Sequence, residues 1–118
     1  MNEEPLQNTA FELCRDRHRR LVLSILMEDE RTMTVNDLTK SVAVREHGEQ
    51  ITDISSKTVV STYCLLSHVH VPKLVDSNVL RYDRERDLVE IGDGFSTLKP
   101  LFSRIIDGVH TPPVPSSD

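Results

Sequence analysis

Apolar residues in the first part of the chain recur at three- and four-residue steps. Phe11, Leu13, Cys14, Leu21, Val22, Ile25 and Leu26 fit one amphipathic helix running from Thr9 to Met27, where the charged EDER stretch ends it. Thr34 opens a second helix. It is a good N-cap, Asp37 stands where a capping-box carboxylate would sit, and Val35, Leu38, Val42 and Ala43 share one face. Gly48 supplies the stop. After the linking GEQITDI, Ser55 or Ser56 caps a third, longer helix, with Val59, Val60, Tyr63, Leu66, Val69, Val71, Leu74 and Val75 expected over a broad buried arc. Pro72 removes a backbone donor within it, which predicts a kink before the segment closes at Asp76 to Asn78.

The period then changes from 3.6 to 2. VLRYD and DLVEI alternate on either side of RER, which predicts a β-hairpin with Leu80 and Tyr82 answering Leu88 or Val89 and Ile91. Gly92 and Gly94 break that pattern. A last amphipathic helix is expected from about Thr97 to Asp107, provided that Pro100 falls in its first turn. A lone hairpin is marginal in water and must pack on the helices. The expected fold class is therefore mainly α with a small β-hairpin, a winged helix-turn-helix plus a C-terminal helix. Its divisions are a flexible 1–8, a winged-helix domain over 9–93, a helix over 94–108 and a Pro- and Ser-rich, disordered tail over 109–118.

Composition adds four points. The 118 residues suit one domain, and aliphatic side chains must build its core, since there is no Trp and there are only five Phe and Tyr together. The longest uncharged apolar run, Leu21 to Met27, is too short to span a bilayer, and the acidic MNEEPLQ start is unlike a secretory signal; both point to a soluble cytoplasmic protein. Cys14 and Cys64 lack CxxC spacing and fit reduced thiols better than a disulfide or zinc knuckle. Finally, the net charge is −5 with ten Arg against four Lys, a balance that suits a high-salt cytoplasm and argues against nucleic acid unless the charges are unevenly distributed.

Three stretches carry a family resemblance over roughly residues 9 to 92. FELCRDRHRRLVLSIL resembles the opening helix of ArsR-like regulators, and TVNDLTKSVA resembles their second helix. HVHVPKLVDSNVLRYDRERDLVEI is similar to a segment of haloarchaeal winged-helix proteins that runs H-x-H-L-P-K-L-x-D-x-G, with Asn78 standing where that family has Gly. The resemblance implies a transcription regulator that binds double-stranded DNA, its third helix in the major groove and its hairpin wing on the backbone.

On that plan the candidate DNA contacts are Ser55, Ser56, Lys57, Thr58, Ser61 and Thr62 on the third helix, with Arg81, Arg84 and Arg86 on the wing. Arg15 to Arg20 carries a local charge of +3, and a structural role against the hairpin or against Glu12 and Asp16 is favoured there over phosphate contact. The C-terminal helix has no core left to cover in a minimal winged helix. Leu98, Leu101, Phe102, Ile105 and Ile106 are therefore expected at a homodimer interface, the alternative being that the helix folds back on its own domain. His68 and His70 point about 200° apart on a regular helix and cannot share one ion. Cys64 and His68 can, but would need ligands from Cys14, His18, His47 or a second subunit, so no metal or cofactor is expected. Catalytic motifs such as HExxH, GxSxG or a phosphate loop are missing, and no enzyme or small-molecule substrate is expected. Two rivals to a DNA-binding regulator stay open: a winged helix used as a protein–protein module, and an ArsR-like metal or redox sensor.

Overall fold

The computed structural model describes residues 4–110. The elements are α1 (Glu4–Leu13), α2 (Arg17–Glu28), β1 (Met33–Thr34), α3 (Val35–His47), a 3-10 turn (Ile51–Asp53), α4 (Ser56–Leu65), a π turn (Leu66–His70), α5 (Val71–Asp76), β2 (Leu80–Asp83), β3 (Leu88–Ile91) and α6 (Phe95–His110). The fold is mainly helical, with a small antiparallel sheet and a C-terminal helix, in a winged-helix arrangement. No helix among the described residues is long and apolar enough to cross a membrane.

The single first helix expected from Thr9 to Met27 is two helices, broken at Cys14–Asp16. Asp16 has extended backbone angles and its carboxylate accepts from the Arg19 amide at 3.1 Å, so it caps α2 instead of continuing α1. The carbonyls left over at the end of α1 take guanidinium donors from α2. Arg19 Nη2 donates to the Glu12 carbonyl at 3.1 Å and Arg19 Nε to that of Leu13 at 2.8 Å, while Arg20 Nη1 donates to that of Cys14 at 2.7 Å. The arginine cluster thus holds a helix corner. Arg15 pairs with Glu12 as expected, but Arg20 donates to backbone, and Arg19 to backbone and to a histidine ring. The helix also starts earlier than expected, since residues 4–8, assigned to a flexible end, form its first turns.

Thr34 caps α3 by accepting from the Asp37 amide, and Gly48 closes it in the left-handed region at φ 66°. Ser55 caps α4. The third helix then continues to Asp76 through a π turn, where the Val71 amide reaches back five residues to the Leu66 carbonyl. That wider turn accommodates the Pro72 ring and its missing donor, so one extra residue enters the helix where the kink was expected.

The sheet has three strands in the order β1-β3-β2. In the hairpin Leu80 faces Ile91 and Tyr82 faces Val89; Met33 and Thr34 pair with Val89 and Leu88. β1 was not foreseen, being two residues long. Asn78 takes φ 64°, the left-handed conformation for which Gly is the usual residue and Asn the common substitute. Directly opposite, Gly92 lets the chain pass the Asn78 carbonyl, which a Cβ would approach to 2.6 Å.

The last helix starts at Phe95, not Thr97, so Pro100 is its sixth residue and not in its first turn. The Ser96 carbonyl it leaves without a donor is on the exposed side, where water can serve. The helix packs on α1 and α2. Leu98, Phe102 and Ile106 are buried in the chain's own core, with Phe95 and Phe102 rings 6.4 Å apart. This corrects the assignment of those three to a subunit interface: α1 supplies the cover that a second subunit was expected to give. Leu101 and Ile105 are only half-buried and line a groove with Phe11 and Val109. Val109, assigned to the tail, is helical, and residues 111–118 of that tail lie outside the described residues.

Candidate functional site

The exposed side of α4 carries Ser56, Lys57, Val60, Ser61, Cys64 and Leu65, spaced i, i+1, i+4, i+5, i+8, i+9. The opposite side holds Thr62 and Leu66 in the core. Of the nine residues proposed for DNA contact, four are exposed and not committed to close partners among the described residues: Ser56, Lys57, Ser61 and Arg84. Arg86 is exposed with only a long 3.9 Å contact to Asp83.

The other four are occupied. Thr62 is 4 % exposed and donates to the Thr58 carbonyl at 3.0 Å, so it cannot reach a base edge. Ser55 and Thr58 bond to each other as the helix cap: Ser55 Oγ accepts the Thr58 amide and donates to Thr58 Oγ1 at 2.9 Å. Arg81 donates to Glu90 at 3.1 Å and to Asp93 at 3.3 Å across the hairpin. Sequence spacing placed Thr62 on the leading face because it follows Ser61, but the helix puts neighbours 100° apart.

Charge is unevenly spread. Lys40 on α3, Lys57 on α4, Arg84 at the wing turn and Arg104 on α6 have no ion pair among the described residues, whereas the other lysines and most arginines are paired or bonded to carbonyls. From Ile54 to Val75 there is not one Asp or Glu, in a chain with 19 of them. That 22-residue gap was legible in the sequence and takes in the whole of α4 and the π turn after it.

The wing is fastened to this helix by Asp87. Its carboxylate accepts from Tyr63 of α4 at 2.8 Å and from Tyr82 of β2 at 2.5 Å, and its carbonyl accepts the first amide of α3. The hydrogen bond to Asp87 pushes the Tyr82 phenol up to about 12 and raises that of Tyr63. Asp87 itself sits at φ 54°. At the tip, the Asp83 carboxylate accepts the Glu85 and Arg86 amides and shapes the turn that carries Arg84.

A second cluster lies behind the third helix. Asp16, His18 and His70 bring donor atoms within 4.8 Å of one another, and His18 Nε2 is 3.0 Å from Glu46. The two histidine rings are 5.8 Å apart. Cys64 and His68, the pair singled out from spacing, are both exposed and take no part. The 200° between His68 and His70 already implied that one points inward, and it is His70, only 4 % exposed.

Polarity decides what this cluster can do. Arg19 Nη1 lies 3.2 Å from His70 Nδ1, and a guanidinium only donates, so Nδ1 carries a lone pair. The ring proton is then on Nε2, 3.4 Å from Asp16 Oδ1. A metal held through Nε2 would need the opposite tautomer, with an N–H aimed at Arg19. The arrangement favours a neutral, hydrogen-bonded histidine over a ligand. Burial above all lowers the His70 pKa, with Asp16 opposing and Arg19 adding to the shift. Burial opposes the charge on Asp16 as well, but the Arg19 amide, positive charge on His70, the Arg19 guanidinium and the His18 amide together outweigh it and hold that carboxyl below its usual range. Burial pushes the Cys14 thiol up to about 11, which leaves it a protonated core side chain.

Residues 11–90 match the model of the family described as Domain of unknown function (DUF7344). The chain belongs to that family. The DUF7344 match begins inside α1 and ends in β3, so it takes in the winged helix and leaves α6 outside. No curated protein and no solved structure matches the chain.

Proposed function

We propose that this DUF7344 protein is a sequence-specific DNA-binding transcription regulator acting as a homodimer, with α4 in the major groove and the wing on the backbone. The observation that carries this is the acid-free α4, with Lys57 on its outer side and Arg84 on the neighbouring wing turn both without an ion pair among the described residues. Cations without carboxylate partners are free to meet phosphates. The Asp87 bridge fixes wing and helix as one rigid surface, which suits recognition by shape in a high-salt cytoplasm where charge alone binds weakly. We place the second copy on the apolar groove between α1 and α6. It is lined by Phe11, Leu101, Ile105 and Val109, and Phe11 protrudes from it at 58 % exposure, so that one surface has both a knob and a hole, as a two-fold axis requires.

One observation favours the protein–protein module as the rival: Leu65 and Val69 are exposed apolar residues farther along the same helix. Gel shifts with the DNA upstream of the protein's own gene, in concentrated salt, separate the two. Binding that prefers this DNA over a scrambled duplex supports the regulator. A folded protein that shifts neither duplex removes it and leaves the module.

A further inference from the structure

Val60 is 59 % exposed in the middle of the outer side of α4, between Lys57 and Ser61 and one turn beyond Ser56. A branched aliphatic there adds nothing to the core: Val60 lies outside it, and even its half-buried neighbour Val59 does not join it. Its β-branched side chain is stiff, so its two methyls hold a fixed position on the helix surface. Beside it is a shallow depression of about 290 Å³ lined by Asn36, Val59, Val60 and Tyr63.

We infer that Val60 reads thymine, packing its methyls against the thymine C5-methyl in the major groove. This rests on the DNA-binding reading and goes one step beyond it. Among the four bases only thymine presents a methyl there, and an aliphatic side chain is the group that recognises it. The surroundings fit such an edge. Ser56 and Ser61 can bond the thymine O4 or the adenine N7 next to it, and Lys57 lies within the same stripe with no carboxylate to hold it back. No Arg, Asn or Gln stands on that stripe to fork onto a guanine or adenine, so the methyl contact has to carry much of the discrimination. A protein partner would gain from a wider apolar field, whereas polar or charged side chains flank Val60 within the α4 stripe at Ser56, Lys57 and Ser61.

The test begins by selecting preferred duplexes from a random pool with the full chain. Each thymine of the winner is then replaced in turn by uracil, which deletes only the methyl, and affinity is read by fluorescence anisotropy. At one or two positions per half-site uracil should weaken binding about three- to tenfold, the effect of losing one methyl contact. A Val60→Ser variant, at an exposed position that leaves the core intact, should bind the thymine and uracil duplexes equally. Indifference of the native chain to every uracil overturns the thymine contact while leaving DNA binding in place. Uracil sensitivity that persists in the variant also overturns it, by moving the contact off Val60. If no duplex is enriched, the DNA-binding reading falls, and this inference with it.

Discussion

His70 sits where three helices meet and faces Asp16, Arg19 and His18 from α2 and its cap, and Lys73 from α5. Behind these stand Glu12 on α1, 3.4 Å from Lys73, and Glu46 on α3 against His18. Because its pKa in the folded chain is lowered, the unfolded chain takes up the proton first as pH falls. The contribution of His70 to stability is thus complete above the ordinary histidine value of about 6.5 and is lost as pH drops toward the folded value. Protonation would set two donors face to face and push Arg19 from the carbonyls of Glu12 and Leu13. Urea denaturation between pH 7.5 and 5.5 should show the native chain losing stability faster than a His70→Asn variant, whose carbonyl can accept from Arg19 without titrating. Parallel pH profiles for the two would remove this assignment. Arg19→Met should cost about 2–4 kcal/mol at pH 7.5, since it strips two charged donors from partly buried carbonyls.

At the scale of elements, two glycines make opposite predictions. Gly92→Ala should destabilise the wing by about 1–3 kcal/mol, because the new Cβ meets the Asn78 carbonyl and neither backbone can yield without breaking the bond from the Gly92 amide to Val79. Gly108→Ala has open space around it in α6 and should stabilise by about 0.5–1 kcal/mol. Thermal and urea unfolding of both check the contrast. The elements that were legible in the sequence are those announced by local chemistry: the caps at Thr34 and Ser55, the stop at Gly48, the Asn78 turn and the two-residue period of the hairpin. What escaped depends on contacts between distant residues. The break at Cys14–Asp16 is hidden because apolar spacing runs across it, and it exists because Asp16 caps α2 and arginines of α2 close α1. The fold-back of α6 was only the alternative reading, because its cover, α1, begins at Glu4 in a stretch with few apolar residues. At the candidate site, the exposure of Lys57, Ser56 and Arg84 was legible from position alone, but the commitments of Ser55, Thr58 and Arg81 are visible only in three dimensions, and Val60 was counted as core.

For the whole molecule, α6 has two sides with different work. One side completes the core through Leu98, Phe102 and Ile106; the other, with Leu101 and Ile105, opens onto the groove beside Phe11. Sedimentation at tens of micromolar should give twice the 13.4 kDa chain mass, and Phe11→Asp, a change at an exposed position, should give single chains with an unchanged circular dichroism spectrum. A native chain that sediments alone, or a variant that still pairs, rules out this groove as the interface. Loss of pairing should also weaken binding to a two-half-site duplex far more than to one half-site, since the second contact is then no longer intramolecular.

The π turn at Leu66–His70 has a consequence for how this protein can change. One extra residue shifts the phase of everything after it, so the outward stripe of α4 and the inward set of Val71 and Leu74 are not bound to one periodicity. Substitutions can therefore retune the stripe without turning the buried half of the same helix out of register. Deleting a single residue within the turn would do the reverse. It would force Pro72 into a regular helix and rotate the two halves by about 100° relative to each other, so that stripe and core could no longer both be satisfied.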